Sequence, residues 1–170
     1  MFYIDGYNLL FKVQKNHNTL QEAREEVIKS LNKRLSKLKL EVCIIFDSLH
    51  QEGLGSHSSF EFLHVIFTAK NETADEWIYQ AIKRAKMPQI CTVVSSDKKL
   101  CENVKKLKAK VLNIDTFLIW LNKRQKIKEE ETIKVTETKI FFKRSSKPSE
   151  GSVDYYLKIF EDRYQEMEKK

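Results

Sequence analysis

The sequence predicts an α/β fold in which a mainly parallel sheet is covered by helices on both faces. Three observations carry that prediction. Short apolar runs alternate along the chain with amphipathic stretches of helical period. The runs are continuous rather than alternating, as in strands buried on both sides. The chain has 170 residues, 41% of them hydrophobic, with only 4 Gly and 2 Pro, which suits one packed core rather than a disordered or fibrous class.

The first strand is the apolar run at residues 2–4, stopped by Asp5-Gly6. Leu20, Ala23, Val27, Leu31, Leu35 and Leu38 then recur at three- and four-residue steps, an amphipathic helix over residues 18–38. Residues 41–46 (EVCIIF) form a second, fully covered strand ending at Asp47-Ser48. Residues 48–60, with Gly53, Gly55 and several Ser and His, read as a mobile surface loop. Residues 62–67 (FLHVIF) give a third strand. Thr73 and Glu76 match a capping box, opening a helix that carries Trp77, Ile78, Ala81, Ile82 and Ala85 and ends near Pro88. Residues 90–94 are a strand, and Ser95-Ser96-Asp97 opens a helix with Leu100, Val104 and Leu107. A last strand spans 111–114, and Asp115 caps a helix with Phe117, Leu118 and Leu121. The strands at 42–45 and 90–94 are the most apolar and are expected to be central.

The tail differs in character. Residues 1–128 are expected to form the folded domain. Residues 129–151 form a basic extension with weak alternation at 133–143 and a Ser- and Pro-containing linker. Residues 152–170 form a terminal helix marked by Val153, Tyr156, Leu157, Phe160 and Tyr164.

Lys and Arg number 31 against 24 Asp and Glu, a net charge of +7. This favours a polyanionic partner without naming it, and a basic protein with no nucleic-acid role accounts for it equally well. Cys43, Cys91 and Cys101 lack zinc spacing and read as reduced, mostly buried thiols, hence a cytoplasmic chain. No leader and no membrane span is expected.

In an open α/β sheet, ligands gather at the carboxyl ends of the strands. Asp5, Asp47 and Asp97 each follow a strand, and Asp75 lies in the first turn of the helix after the third. Taken singly, Asp47, Asp75 and Asp97 are also what a cap or turn selects, whereas Asp5 is harder to explain so, because Gly6 opens no phosphate-binding glycine loop. Taken together, they would converge on one edge. Clustered carboxylates repel, and Mg²⁺ or Mn²⁺ relieves that repulsion while activating water at a phosphodiester. Asn8 lies at the same edge, and Ser96 is placed to cap a helix or touch phosphate. Lys70, Lys98 and Lys99 would rim the mouth and hold phosphates. No glycine-rich phosphate loop is present. His50, His57 and His64 show no metal spacing, and Trp77 and Trp120 sit at core spacing.

Ile4-Asp5-Gly6-Tyr7-Asn8-Leu9, Ile45-Phe46-Asp47, Phe67-Thr68, Asn71-Glu72-Thr73-Ala74-Asp75-Glu76 and Ser96-Asp97 resemble the motifs of the YacP-type NYN-domain proteins, PIN-like nucleases of bacteria. The resemblance implies a PIN-like three-layer sandwich and a metal-dependent endoribonuclease. It also implies ribosome association and mRNA cleavage during translation. By motif position, Asp5, Asp75 and Asp97 would be the catalytic metal-site acids. Asn8 and Glu76 would be second-tier site residues, and Asp47 matches the family's Phe-Asp pair. The family tends to carry Gly-Ala before the last strand, where this chain has Lys108-Ala109. Two other readings share the fold: a non-catalytic RNA- or ribosome-binding adaptor, and a structure-specific DNA nuclease, for which no arch-forming insertion is visible.

Overall fold

The computed structural model describes residues 1–13, 19–47 and 55–145, with side chains through residue 135. His50 and the expected terminal helix at 152–170 lie outside the described residues. Contacts divide the chain into Met1–Lys128 and Glu129–Lys170.

The order is β1 (Phe2–Asp5), α1 (Gly6–Val13), α2 (Leu20–Leu38), β2 (Val42–Phe46), β3 (Ser56–Ser59), β4 (Leu63–Phe67), α3 (Ala74–Arg84), β5 (Thr92–Val94), α4 (Lys98–Lys106), β6 (Lys110–Leu112) and α5 (Ile114–Ser145). The strands form one six-stranded sheet in the order β3-β4-β2-β1-β5-β6. Every pairing is parallel except β3 with β4. The two central strands are therefore β2 and β1. The apolar run at 42–45 marks the middle as expected, whereas the run at 90–94 lies one strand further out beside β1, with Ile4 opposite Ile44 on one side and Val94 on the other.

Alternate residues of each strand feed two cores. Ile4, Ile44, Phe46, Leu63 and Val65 pack with Leu9, Leu10, Leu31, Leu35, Phe117 and Leu121. Cys43, Ile45 and Val93 pack with Ile78, Ile82, Leu100 and Val104 on the opposite face. Burying each such Leu or Ile contributes about 1.5–3 kcal/mol before chain entropy is counted. All five residues of β2 are buried, which explains their continuous apolar run.

Helix ends follow the local chemistry. Thr19 and Glu22 form a capping box at α2, and Thr73 and Glu76 form one at α3. Lys39 closes α2 in the left-handed conformation, φ 51°. Lys108 does the same after α4, φ 69°, with its N–H on the Lys105 carbonyl at 2.8 Å. That is where the family tends to place glycine, the residue that adopts this conformation without steric cost.

Five sequence expectations change. Residues 6–13 are helical, directly after β1. Within the expected loop, residues 56–59 form an exposed edge strand paired with β4. Residues 88–90 form a 3₁₀ turn, so the fifth strand starts only at Thr92. The last helix is capped by Asn113, whose Oδ1 accepts from the Thr116 N–H at 2.7 Å, rather than by Asp115. That helix also continues through the weakly alternating stretch at 133–143 to Ser145. Among the described residues no helix is long and apolar enough to cross a membrane. Cys43, Cys91 and Cys101 are free thiols, and burial pushes Cys43 up to about 12.

Candidate active site

The carboxyl edge of the sheet is built around Asp5. It is the last residue of β1 and only 6% exposed. Its Oδ1 accepts the Asn8 N–H at 3.1 Å, in the manner of an N-cap on α1, and its Oδ2 accepts from the Asn8 side-chain amide. Ser95 Oγ, itself buried, donates to the same Oδ2 at 3.4 Å. Gly6 makes this packing possible. A Cβ there would stand 2.5 Å from the Phe46 ring and 2.7 Å from the Ile45 carbonyl oxygen. Burial raises the Asp5 pKa, and the hydrogen bonds from Asn8 and Ser95 and from the Tyr7 backbone oppose that rise.

The turn after β5 ties the next acid to this one. Ser95 Oγ accepts the Asp97 N–H at 3.0 Å, so one hydroxyl bridges Asp5 and the backbone of Asp97. Asn8 Oδ1 accepts the Ser96 N–H at 3.2 Å, a second tie between α1 and this turn. Asp97 then caps α4, with Oδ1 accepting from the Leu100 N–H at 2.7 Å.

Asp75 sits in the first turn of α3, whose cap is already supplied by Thr73 and Glu76. Its carboxyl is pushed up to about 6, first by burial and then by the charges of Asp5, Asp97, Asp47 and Glu76. The Cys101 thiol on α4 is also raised, mainly by burial; Lys105 opposes the rise, and Asp97 and Asp75 add to it. The sheet thus brings Asp5, Asp47, Asp75, Asp97 and Glu76 into one electrostatic neighbourhood, as the strand-end argument requires.

The expected rim is less uniform. Lys99 lines a cavity of about 330 Å³ together with Asp75, Glu76, Tyr79 and Asn103. Lys98 is exposed as the first residue of α4, and Lys70 is exposed in the turn after β4. Asn8 and Ser96 line a second cavity, of about 340 Å³, with Tyr7, Phe11, Lys12 and Asp115. His57 on the edge strand β3 and His64 on β4 stack at 5.9 Å, with Ser59 Oγ within 3.3 Å of a ring nitrogen of each. Trp77 and Trp120 pack against the two cores, as their spacing predicts.

Two residues at this edge escape sequence reasoning. Ser95 reads as a cap residue, yet it is the buried link between two acids. Arg24 reads as a solvated position on α2, yet it is 5% exposed. Its Nη1 donates to Tyr7 OH at 3.1 Å and its guanidinium lies 5.5 Å from the Phe67 ring centroid. The only available signal was its place beside Ala23 on the apolar stripe.

A divalent cation fits the charge of this edge, because four other carboxylates act on Asp75. Direct ligation is another matter: among the described residues no group of three or more His, Cys, Asp or Glu side chains is arranged to hold an ion. Asp5, Asp75 and Asp97 would hold such an ion together with water, the donor set that suits a hard divalent cation.

Fold and site together define a PIN-like α/β protein with an acidic strand-end site. The chain belongs to the YacP-like NYN domain family, whose description matches residues 2–155. It is 33% identical over 79 residues to the YacP protein of Bacillus subtilis strain 168, an alignment spanning 44% of this chain and 46% of the relative. The chain thus matches about half the length of that relative. The crystal structure of Rae1 (YacP) from Bacillus subtilis superposes with a TM-score of 0.62 at 24% identity, covering 97% of this chain and 94% of the other. A single-residue variant of that protein gives 0.60 at 23% identity, over 79% and 82%. These two likenesses establish the fold.

Proposed function

We propose that this protein is a divalent-metal-dependent endoribonuclease that hydrolyses RNA phosphodiester bonds. The observation that carries the reading is the Asp75 carboxyl, raised to about 6 beside Asp5, Asp97, Asp47 and Glu76. A buried or half-buried field of like charge is costly to maintain, and catalysis is the usual return for it. Mg²⁺ or Mn²⁺ bound here would supply an activated water and charge neutralisation at the leaving oxygen. The chain's own residues do the rest. Asn8 and Ser95 hold Asp5 in one rotamer, and the Ser95 bridge sets Asp97 against it. The exposed Ser96 stands where a phosphate oxygen would arrive, and Lys99 offers it a positive rim. The net charge of +7 supports a polyanionic substrate.

Family membership supports taking the substrate to be mRNA on translating ribosomes, in the cytoplasm. The adaptor reading keeps one specific observation in its favour, the lack of a direct three-ligand arrangement among the described residues. One assay separates the two. Labelled single-stranded RNA is incubated with Mg²⁺ or Mn²⁺, with and without translating ribosomes, using the wild-type chain and Asp97→Asn. Metal-dependent cleavage lost in the variant is the expected result. RNA or ribosome binding that is insensitive to EDTA, with no cleavage in any condition, would establish the adaptor instead.

A further inference from the structure

The α1 helix carries a feature that the carboxylates do not use. Phe11 is 62% exposed, the most exposed large apolar side chain among the described residues. Its ring stacks on Tyr7, centroids 5.8 Å apart and planes 24° from parallel. Tyr7 is fixed from beneath: its ring meets Phe46 edge-on at 5.4 Å, and its hydroxyl accepts from the buried Arg24 at 3.1 Å. The pair also lines the 340 Å³ cavity whose other walls include Asn8 and Ser96. Those two residues connect directly to Asp5 and to the turn before Asp97. On the rim, Lys12 pairs with Asp115 at 2.9 Å, both half exposed.

We infer that the Tyr7–Phe11 pair is a stacking platform for one unpaired nucleobase of a single-stranded RNA, seated beside the phosphate that the acids address. The inference deepens the nuclease reading and rests on its RNA substrate. An aromatic pair four residues apart on a helix supports that helix by only a few tenths of a kcal/mol, and isolated exposed apolar residues are common. Neither fact accounts for a ring anchored through a buried guanidinium and opening onto a polar cavity. Single-stranded RNA is read by that combination: an aromatic face for the base, hydrogen-bonding groups at its edge, and cationic charge for the backbone. Here the face is Phe11, the edge groups are Asn8, Ser96, Lys12 and Asp115, and the chain carries the positive charge. Anchoring Tyr7 through Arg24 orders the platform before RNA arrives, which lowers the entropy lost on binding.

The test is equilibrium binding of a single-stranded RNA oligonucleotide to the full chain in an Asp97→Asn background, which suppresses turnover. Adding Phe11→Ala is expected to weaken binding about tenfold, and Phe11→Tyr to preserve it. An abasic site moved along the RNA should reproduce the loss at one position, and at that position the abasic site and Phe11→Ala should not add. A Phe11→Ala chain that binds RNA as tightly as its parent, or losses that add at every position, would overturn the platform and leave the nuclease standing if the wild type cuts RNA. A wild-type chain that neither cuts nor binds single-stranded RNA overturns both.

Discussion

Two helix N-termini meet at this site, and they use the same residue type in opposite ways. At α4, Asp97 is the cap: one of its oxygens is committed to the Leu100 N–H. At α3, Thr73 and Glu76 share the capping, so Asp75 contributes nothing to it and carries the repulsion of its neighbours instead. Asp5 resembles Asp97, since it holds the Asn8 N–H at the start of α1. Two of the acids are thus tied to helix caps, and the third has only the dipole of its helix N-terminus to set against the repulsion of its neighbours. An acid that also caps a helix is cheap for the fold to keep.

The largest effect expected from breaking that contrast is on cleavage. Asp75→Asn and Asp97→Asn should each lower metal-dependent RNA cleavage by about 100-fold or more, read from initial rates. Asn caps helices as well as Asp does, so Asp97→Asn should melt within a few degrees of wild type.

Next comes Gly6→Ala. Its Cβ cannot be placed without moving the Phe46 ring or the Ile45 carbonyl, and the second of these is backbone. A loss of about 1–3 kcal/mol in denaturant unfolding is expected, together with reduced cleavage as Asp5 shifts. Asp97→Ala should cost about 1 kcal/mol more stability than Asp97→Asn, a difference that isolates the cap from the charge.

The pH dependence sharpens the contrast further. Between the ordinary carboxyl value of 3.8 and about 6, folded Asp75 holds a proton that the unfolded chain has released. Its contribution to stability therefore falls as pH rises through that window. Metal-free Asp75→Asn should lose less stability than wild type across the same window, and should be the more stable of the two above it. Thermal melts of both proteins in EDTA decide this. Added Mg²⁺ or Mn²⁺ should raise the wild-type melting temperature above about pH 6 and do so less below it. The smallest effect expected is Lys108→Gly, a gain of about 0.5–1 kcal/mol from placing glycine at φ 69°.

Much of this was legible in the sequence, for identifiable reasons. Continuous apolar runs such as residues 42–46 announce strands covered on both faces, and Thr73 with Glu76 announces a helix start. The strand-end aspartates follow from those elements once the sheet is taken as parallel. Helix α1 was hidden because Asp5-Gly6 looks like a turn, although Leu9, Leu10 and Val13 follow at helical spacing. Strand β3 was hidden because SHSS is polar on every side, and its pairing with β4 rests on the backbone ladder and on polar and ring contacts of His57 and Ser59 with His64. The centrality of β1 could not be read from its composition: Phe2 and Tyr3 are only half buried, and its position comes from pairing with both β2 and β5. Arg24 and Ser95 were missed because their partners, Tyr7, Asp5 and Asp97, lie up to 90 positions away.

The Ser95 bridge has a consequence for how the acidic edge is assembled during synthesis. The hydroxyl that joins Asp5 to Asp97 belongs to the turn after β5, and β5 closes the open side of β1. A nascent chain that ends before that turn has its first acid in a strand paired on one side only. No two of its carboxylates are held together by this link. The acidic edge is therefore completed late, when the fifth strand docks, and on the proposed nuclease reading a chain ending before that turn is expected not to cleave RNA.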